Sequence, residues 1–262
     1  MKNILGTIAD YARIRVEMDK TQQSLDELKE LCKAQLPADG QAFELALKKP
    51  GMSFISEIKR ASPSNGIISK SFPYLAIARE YEMAGTDCIS CLTEPKWFLG
   101  SDEIFQEIRS RVTLPMLRKD FVVDDYQLYQ ARLMGANAVL LICAILDSVQ
   151  LEHGLQTCSE LGLAAVIEAH DAGEIAMAVS AGARIIGVNN RDLKDFSIDI
   201  GNSGRLRSLV PDDVIYIAES GIRTAEDVQA LRQVGVDAVL IGETLMRAED
   251  KKKMLSSLRG ES

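Results

Sequence analysis

The sequence has 262 residues, 47% of them hydrophobic and 26% charged, which suits one globular domain with a short addition. The formal net charge of −8 lacks the clustered Lys and Arg of a nucleic-acid-binding surface. No apolar stretch approaches the ~18 residues of a membrane helix, and the N-terminal segment lacks signal-peptide features, so we expect a cytoplasmic protein that contacts neither nucleic acid nor membrane.

The five cysteines are odd in number and scattered, which indicates reduced, buried thiols. Cys88 and Cys91 form a C-x-x-C pair inside one apolar run, where residues three apart along a strand point to opposite faces. We therefore favour buried thiols over a metal or redox site. The two histidines, His153 and His170, are too few for a histidine-based metal site, and His153 falls in a predicted surface helix.

Residues 1–52 have a different pattern from the rest of the chain. Apolar residues recur at helical spacing over 4–12 and 25–32, with Ser24 as a candidate N-cap, and a third short helix is predicted at 42–47. The segment is predicted to be a helical extension packed on a larger domain.

From residue 53 onward, strand and helix patterns alternate about every 25–30 residues, the length of a βα unit. Strands are predicted at 53–58, 88–92, 114–117, 138–142, 164–167, 185–188, 214–218 and 238–241. Similar glycine-containing helix ends precede four of them, and no G-x-G-x-x-G follows the first strand, which disfavours a dinucleotide-binding open sheet. The predicted fold is α/β: a (β/α)8 TIM barrel over 53–262 with the N-terminal helical extension.

Six of the predicted strands lead into polar residues or glycine. These residues are Lys59, Lys119, Glu168, Asn189, Glu219 and Gly242. Burial of an ionisable group costs several kcal/mol unless something offsets it, so this repetition is not expected of a purely structural core. The carboxyl ends of parallel barrel strands meet at one face, where this fold builds active sites.

Glycines follow the last two predicted strands, in Ser220–Gly221 and at Gly242. Small residues let backbone N–H groups approach an oxyanion, and the loops after these strands commonly hold phosphate in this fold. Tight turns alone are the alternative. Because both loops share the pattern, we favour a phosphate site.

Lys59 and Lys119 are predicted to face Glu57, Glu168 and Glu219 across one cavity. A lysine near another cation loses part of its preference for the charged form, so we expect a lowered pKa for Lys119 and a role as an acid. Extended lysines at the rim are the alternative. The facing carboxylates favour a mixed acid–base site.

Further polar and aromatic residues follow the predicted strands. Asn189 would orient a substrate, and Arg191 either binds a carboxylate or pairs with Asp192. Phe121 would form an apolar wall for an aromatic substrate. The Trp97–Phe98 pair is equally compatible with a lid and with packing.

These residues lie in motifs whose order is specific although each alone is weak. They are EIKRASPS at 57–64, LRKDF at 117–121, VIEAH at 166–170, GVNNRDL at 187–193, AESGI at 218–222 and IGETLMR at 241–247. Together they resemble the indole-3-glycerol-phosphate synthase family over essentially the whole chain. The resemblance includes an N-terminal extension that in the family lies over the barrel mouth.

The resemblance implies a ring closure without metal or cofactor. The substrate would be 1-(2-carboxyphenylamino)-1-deoxyribulose 5-phosphate, and the products indole-3-glycerol phosphate, CO₂ and water, in tryptophan biosynthesis. It implies that Lys119 is the general acid, that Lys59 holds the carboxylate or acts as a second acid, and that Glu168 transfers a later proton. Glu57 and Glu219 would position and tune the lysines.

The resemblance also assigns the substrate-binding residues. Asn189 and Arg191 would bind polar groups, and the phosphate would lie among Ser62, Ser220, Gly221, Gly242 and the backbone N–H of Glu243. The partner would be a phosphorylated aromatic small molecule. We expect a monomer, with a weak homodimer left open.

Three positions depart from the commonest family pattern: Leu99, Asn190 and Glu243. An inward carboxylate beside phosphate is unfavourable, so we expect Glu243 to turn outward or phosphate to bind less tightly. Other phosphate-binding barrels, such as phosphoribosylanthranilate isomerase or the tryptophan synthase α-subunit, do not account for both lysines with Glu168. A catalytically dead barrel would have lost an acid or a base. Since the sequence ends soon after the eighth predicted barrel helix, we expect one activity without a fused isomerase.

Overall fold

A computed structural model of the chain describes residues 4–192 and 196–261. The strands are β1 Ser53–Ile58, β2 Ala61–Ser62, β3 Gly66–Ile67, β4 Cys88–Leu92, β5 Met116–Lys119, β6 Ala138–Ile142, β7 Ala164–Ala169, β8 Ile185–Asn189, β9 Ile215–Glu219 and β10 Ala238–Ile241. The α-helices are α1 Ile4–Gln22, α2 Leu25–Lys33, α3 Gly40–Leu47, α4 Tyr74–Met83, α5 Asp102–Arg109, α6 Asp125–Leu133, α7 Ser148–Leu161, α8 Ala172–Ser180, α9 Gly201–Leu206, α10 Ala225–Gln233, α11 Glu243–Arg247 and α12 Lys251–Arg259.

Within the described residues, eight parallel strands close into a barrel in the order β1-β10-β9-β8-β7-β6-β5-β4, and β2 and β3 form a separate two-stranded pair. This confirms the predicted (β/α)8 barrel and its N-terminal helices. The last residue of the fourth motif, Leu193, lies outside the described residues, as do residues 1–3 and 262 at the ends of the two predicted domains.

The structure differs from the predicted elements mainly at their boundaries. The third predicted strand begins two residues late, at Met116, because Pro115 has no N–H to donate to a ladder; it therefore includes Lys119 as its last residue. The short β2–β3 pair was not predicted, and α1 runs ten residues past the predicted 4–12 segment. The predicted N-cap Ser24 is present as a capping box, and Thr224 caps α10 with the same arrangement.

Alternation along the strands decides which residues reach the barrel interior. In β1, β5, β7 and β9 an interior apolar residue is followed two positions later by a charged one. The pairs are Ile55 and Glu57, Leu117 and Lys119, Val166 and Glu168, and Ile217 and Glu219. The barrel interior is thus apolar along the middle of these strands and charged at their carboxyl ends, where the strands open into the mouth.

The N-terminal helices cover opposite ends of the barrel. Leu5 and Ile8 of α1 line the cavity at the mouth, whereas Phe43 and Leu47 of α3 are fully buried in the interior cluster with the first residues of several strands, such as Ala164. Gly40, which begins α3, donates its N–H to the carbonyl of Gly162 just before β7. Only the first helix therefore lies over the mouth, and the third closes the amino-terminal end.

The cysteines agree with the thiol prediction: all five are free and buried. Cys88 packs in the interior cluster and Cys91 in the layer between strands and helices, so the C-x-x-C pair spans the strand as predicted. In the part of the chain described, 4–192 and 196–261, we find no helix with the length and apolarity needed to cross a membrane.

Candidate active site at the barrel mouth

A cavity of about 470 Å³ opens at the carboxyl ends of the strands. Every site residue predicted from sequence lines it: Glu57, Lys59, Ser62, Lys119, Phe121, Glu168, Asn189, Arg191, Glu219, Ser220, Gly221, Gly242 and Glu243. They come from the ends of β1, β5, β7, β8, β9 and β10 and the loops that follow. The topology therefore collects residues that lie far apart in the sequence around one space.

Lys119 occupies the centre of the charged floor. Its Nζ lies 2.5 Å from Glu219 Oε2, 3.5 Å from Glu168 Oε2 and 4.0 Å from Glu57 Oε2. The side chain is only 12% exposed. Such a buried ammonium persists because these carboxylates offset the loss of hydration.

Lys59 and Glu57 form a second, tight ion pair, with 2.5 Å between Lys59 Nζ and Glu57 Oε1. Glu57 therefore lies between the two lysines. Gly242 leaves room for this pair, because a Cβ at that position would overlap the Glu57 carboxylate and meet Lys59 Nζ at 2.9 Å. The glycine thus serves the charged pair as well as any oxyanion contact.

Gly187 in β8 has the same effect on Glu219. A Cβ there would overlap Glu219 Oε1, and Val166 Cγ1 lies 3.4 Å from the same point. Glu219 Oε1 is buried and has no hydrogen-bond partner within the described residues, while Oε2 binds Lys119. Gly187 is not among the site residues predicted from the sequence.

The predicted lowering of the Lys119 pKa is wrong for this arrangement. Burial would lower the pKa of Lys119, but the charges of Glu219, Glu168 and Glu57 outweigh it and raise the pKa above its ordinary value. A lowered pKa was expected from the charge of the second lysine, but the carboxylates have the larger effect, and one of them, Glu57, lies between the two ammonium groups.

The pKa values of two carboxylates in this cluster, Glu57 and Glu219, are shifted in opposite directions. Burial opposes ionisation of Glu57, but Lys59 and Lys119 outweigh it and keep its pKa below the usual range. Burial raises the pKa of Glu219, and the neighbouring charges of Glu168 and Glu57 raise it further against the pull of Lys119. Glu57 is therefore held ionised, while Glu219 binds a proton more readily than a free glutamate.

Asn189 and Arg191 line the side of the cavity after β8. Asn189 Nδ2 donates to Glu168 Oε1 at 3.3 Å, and Asn189 Oδ1 accepts the backbone N–H of Arg191 at 3.1 Å. The Arg191 guanidinium donates to the carbonyl of Phe196 at 3.2 Å, and burial lowers its pKa against the raising effect of Glu243. A cation that is partly dehydrated in this way is suited to an anionic group of a ligand.

The loop after β9 has a backbone that suits an oxyanion. Ser220 and Gly221 both have positive φ, 67° and 85°. The buried Asn190 holds this turn by donating from Nδ2 to the carbonyl of Ser220 at 3.2 Å, and its Oδ1 accepts from the backbone N–H and the hydroxyl of Ser203. Asn190, one of the departures from the family pattern, is therefore a buried support of the turn.

Glu243 lies at the rim of this end of the cavity, with its side chain one-third exposed. Its Oε2 accepts from Asn65 Nδ2 at 2.9 Å and its Oε1 from Arg247 Nε at 2.9 Å. The carboxylate thus joins the loop after β1 to α11.

The opposite end of the cavity is apolar. Phe121 and Phe98 lie 6.1 Å apart between ring centroids, and Leu140, Ile142 and Ile8 contribute to the same wall. Phe98 and the neighbouring Trp97 both pack against the interior cluster, and Phe98 also lines the cavity. Glu94, which is fully buried, fixes this loop by accepting the backbone N–H groups of residues 96–98.

Comparison with known proteins identifies the family of this chain. The sequence model described as indole-3-glycerol phosphate synthase matches residues 5–258. The chain is 51% identical over 257 residues to the indole-3-glycerol phosphate synthase of Ruminiclostridium cellulolyticum, covering 98% of this chain and 99% of that protein. The enzyme of that name from Lacticaseibacillus casei is 46% identical over 257 residues, with 98% of each chain covered.

The chain belongs to the indole-3-glycerol phosphate synthase family.

Solved structures support the fold alone. Thiamine phosphate pyrophosphorylase from Pyrococcus furiosus aligns with a TM-score of 0.61 and 18% identity, over 80% of this chain and 94% of that one. The 3-hexulose-6-phosphate synthase from Salmonella typhimurium aligns with a TM-score of 0.64 and 13% identity, over 80% of this chain and 97% of that one.

Membership of the indole-3-glycerol phosphate synthase family does not by itself show which cavity residues act on substrate. The structure adds several that were not predicted from the sequence: Asn65, Leu140, Ile142, Gly187, Arg223 and the α1 residues Ile4, Leu5 and Ile8. Gly187 lies inside a quoted motif and two residues after the interior Ile185, so strand alternation would have placed it. The resemblance placed the N-terminal extension over the mouth, but the α1 residues that line the cavity could not be singled out, because an amphipathic pattern does not specify its partner surface.

Proposed function

We propose that this protein converts 1-(2-carboxyphenylamino)-1-deoxyribulose 5-phosphate to indole-3-glycerol phosphate, CO₂ and water. The observation that carries the proposal is the position of Lys119, bound to Glu219 and near Glu168, between an apolar wall and a loop suited to an oxyanion. The aromatic ring would lie against Phe121 and Phe98, and the phosphate near Ser220–Gly221 and Gly242.

In the first step, the ring carbon that carries the carboxylate attacks the ketone carbon of the deoxyribulose chain. Negative charge develops on the ketone oxygen, and Lys119 gives it a proton. Loss of CO₂ returns the bonding electrons to the ring and restores its aromaticity. Lys59, fixed by Glu57, would hold the carboxylate or act as a second acid.

In the second step, the new hydroxyl leaves as water and a proton leaves the adjacent CH₂ carbon, which completes the indole. The hydroxyl needs an acid, and either lysine is placed to supply it. Glu168 would take the carbon-bound proton, with its orientation supported by Asn189. Glu57 and Glu219 position the lysines, and Asn189 and Arg191 would bind polar groups of the substrate.

The binding end follows from the same arrangement. Ser62, Ser220, Gly221, Gly242 and the backbone N–H of Glu243 would surround the phosphate, with the side chain of Glu243 held at the rim by Asn65 and Arg247. The extension 1–52 and the barrel 53–262 would act together, because α1 supplies part of the apolar wall. A monomer in the cytoplasm remains our expectation, and light scattering at assay concentration checks its oligomeric state.

The test is continuous indole fluorescence with purified protein, the proposed substrate and a metal chelator. We expect turnover in the parent, at least a thousandfold loss in Lys119→Ala and Glu168→Gln, and unchanged turnover in the exposed control Lys33→Ala. Phosphate binding should survive in Lys119→Ala. A folded parent that binds the substrate without turning it over would indicate a binding protein, and activity within a few-fold in Lys119→Ala would refute its assignment as the acid.

A further inference from the structure

His170 lies between two glutamates at the edge of the site. It is the first residue after β7 and follows Glu168 by two positions. Its Nδ1 is 3.0 Å from Glu174 Oε2, and its Nε2 is 3.5 Å from Glu168 Oε1 on the other side of the ring. Nε2 is shielded from solvent and makes no hydrogen bond to any described residue, so its nearest charge is the carboxylate of Glu168.

The surroundings hold the imidazole in this position. Glu174, in the first turn of α8, also accepts the backbone N–H of His170 at 2.7 Å, and its own N–H donates to the N-cap Asp171. The carbonyl of His170 accepts from Asn202 Nδ2 at 3.1 Å, which ties the loop to α9. The ring is thus fixed by groups that do not belong to the proposed reaction.

The charges that face the ring come from several elements. Glu168 ends β7, Glu174 belongs to α8, Asp171 caps that helix, and Glu219 ends β9; Lys119 lies on the far side of Glu168. Burial would lower the pKa of His170, but the hydrogen bond to Glu174 and the charges of Glu168, Glu174 and Glu219 raise it. The imidazole therefore keeps its proton to a higher pH than a free histidine.

We propose that His170 is a positioning residue for Glu168: its charged imidazole, held by Glu174, keeps the Glu168 carboxylate ionised and directs Oε1. The inference rests on the proposed role of Glu168 as the base. A base works only while it is ionised, and a cation 3.5 Å away extends ionisation to lower pH. Glu174 acts through His170 and does not face the substrate cavity.

The kinetic test is the pH profile of kcat for His170→Asn. Loss of the imidazolium removes a positive charge 3.5 Å from Glu168 Oε1, so we expect the acidic limb to move up by about 1 pH unit, or about tenfold in rate on that limb. We expect the alkaline limb to stay in place, since the substitution acts on the base and leaves the lysines unchanged. His153→Asn is the matched control, because His153 also pairs with a carboxylate, Asp125 at 2.6 Å, but is 61% exposed on α7.

The role of Glu174 gives a second kinetic test. Glu174→Gln should move the acidic limb in the same direction by a smaller amount. The double variant should match His170→Asn alone, since Glu174 acts through the imidazole. If the shifts of the acidic limb in the two single variants added up in the double variant, Glu174 would not act through His170. An unmoved acidic limb in both folded single variants would overturn the proposal.

Titration of the imidazole tests the same coupling without activity. The sequence has only two histidines, so NMR of histidine-labelled protein gives two titrating rings, which His153→Asn assigns. Glu168→Gln should lower the pKa of His170, with the signal of His153 as the internal reference. An unmoved His170 pKa would refute the inference, whereas full turnover in Glu168→Gln would refute the proposed base, so the two failures are distinct. This measurement also decides the matter if His170→Asn does not fold.

Discussion

Gly187→Ala tests the charged floor of the site by adding a single methyl group. To reach ordinary van der Waals separation from the new Cβ, the Glu219 carboxylate would have to move by about 1 Å, a displacement that typically costs about a hundredfold in rate. Glu219 would then leave its 2.5 Å contact with Lys119 Nζ. We expect kcat to fall about a hundredfold, equivalent to about 2.7 kcal/mol of transition-state stabilisation.

The assay is indole fluorescence at saturating substrate, with thermal unfolding measured in parallel. Gly6→Ala is the control: nothing lies within 4 Å of its added Cβ, and the change in α1 should stabilise the protein by about 1 kcal/mol with kcat unchanged. Glu219→Asp shortens the displaced side chain, so the double variant with Gly187→Ala should be no less active than Glu219→Asp alone. A kcat within threefold of the parent in folded Gly187→Ala would refute the steric argument.

Two further changes test how the surroundings support the site. Asp120 is 1% exposed and binds Arg15 of α1 at 2.7 Å, so Arg15→Met should cost about 2 kcal/mol of the free energy of unfolding at pH 7, measured by urea denaturation. Burial opposes ionisation of Asp120, but Arg15 and Arg118 outweigh it and lower its pKa below 3.8. The difference in free energy of unfolding between the parent and Arg15→Met should therefore be complete above about pH 5 and shrink as the pH falls through and below 3.8. An equal difference at about pH 3 would contradict this reasoning. Glu94→Gln replaces one of the two carboxylate oxygens that accept the three N–H groups of its loop, and should lower the free energy of unfolding by about 2 kcal/mol. It should also raise KM, because Phe98 is held less firmly; unfolding and steady-state kinetics check the two effects. An unchanged KM would mean that the loop does not shape the aromatic end of the cavity.

The barrel could be predicted because its signals are local and repeat. Each βα unit carries its own apolar run and helix cap, and the polar residue at the strand end stays in phase with the interior apolar residues. An error of two residues at β5 left Lys119 on the correct face, since a shift of two keeps the phase of a strand. The extension lacked such redundancy: amphipathic spacing predicted its helices, but not that α3 would close the end opposite the mouth.

The electrostatics could not be predicted in the same way. The sequence placed Lys59, Lys119 and Glu57 at one mouth, but their effect on each other depends on distances of a few ångströms. A lysine whose nearest charge is another lysine has a lowered pKa, whereas a lysine whose nearest charge is a glutamate has a raised pKa. The structure places Glu219, Glu168 and Glu57 around the Lys119 ammonium, and their charges change the sign of the expected pKa shift at Lys119.

The raised pKa of Lys119 must be reconciled with a role as an acid. In the described part of the mouth, Lys119 contacts Glu57, Glu168 and Glu219, so its proton is held by charges that the substrate alters. A developing oxyanion on the former ketone oxygen competes with Glu219 for that proton, so the proton passes from Lys119 to the substrate as the carbon–carbon bond forms. Glu57 remains ionised against Lys59 throughout and fixes the geometry. In the proposed reaction Glu219 therefore holds Lys119 in place while the lysine acts as the acid, and the base lies apart from them at Glu168, oriented by Asn189 and His170.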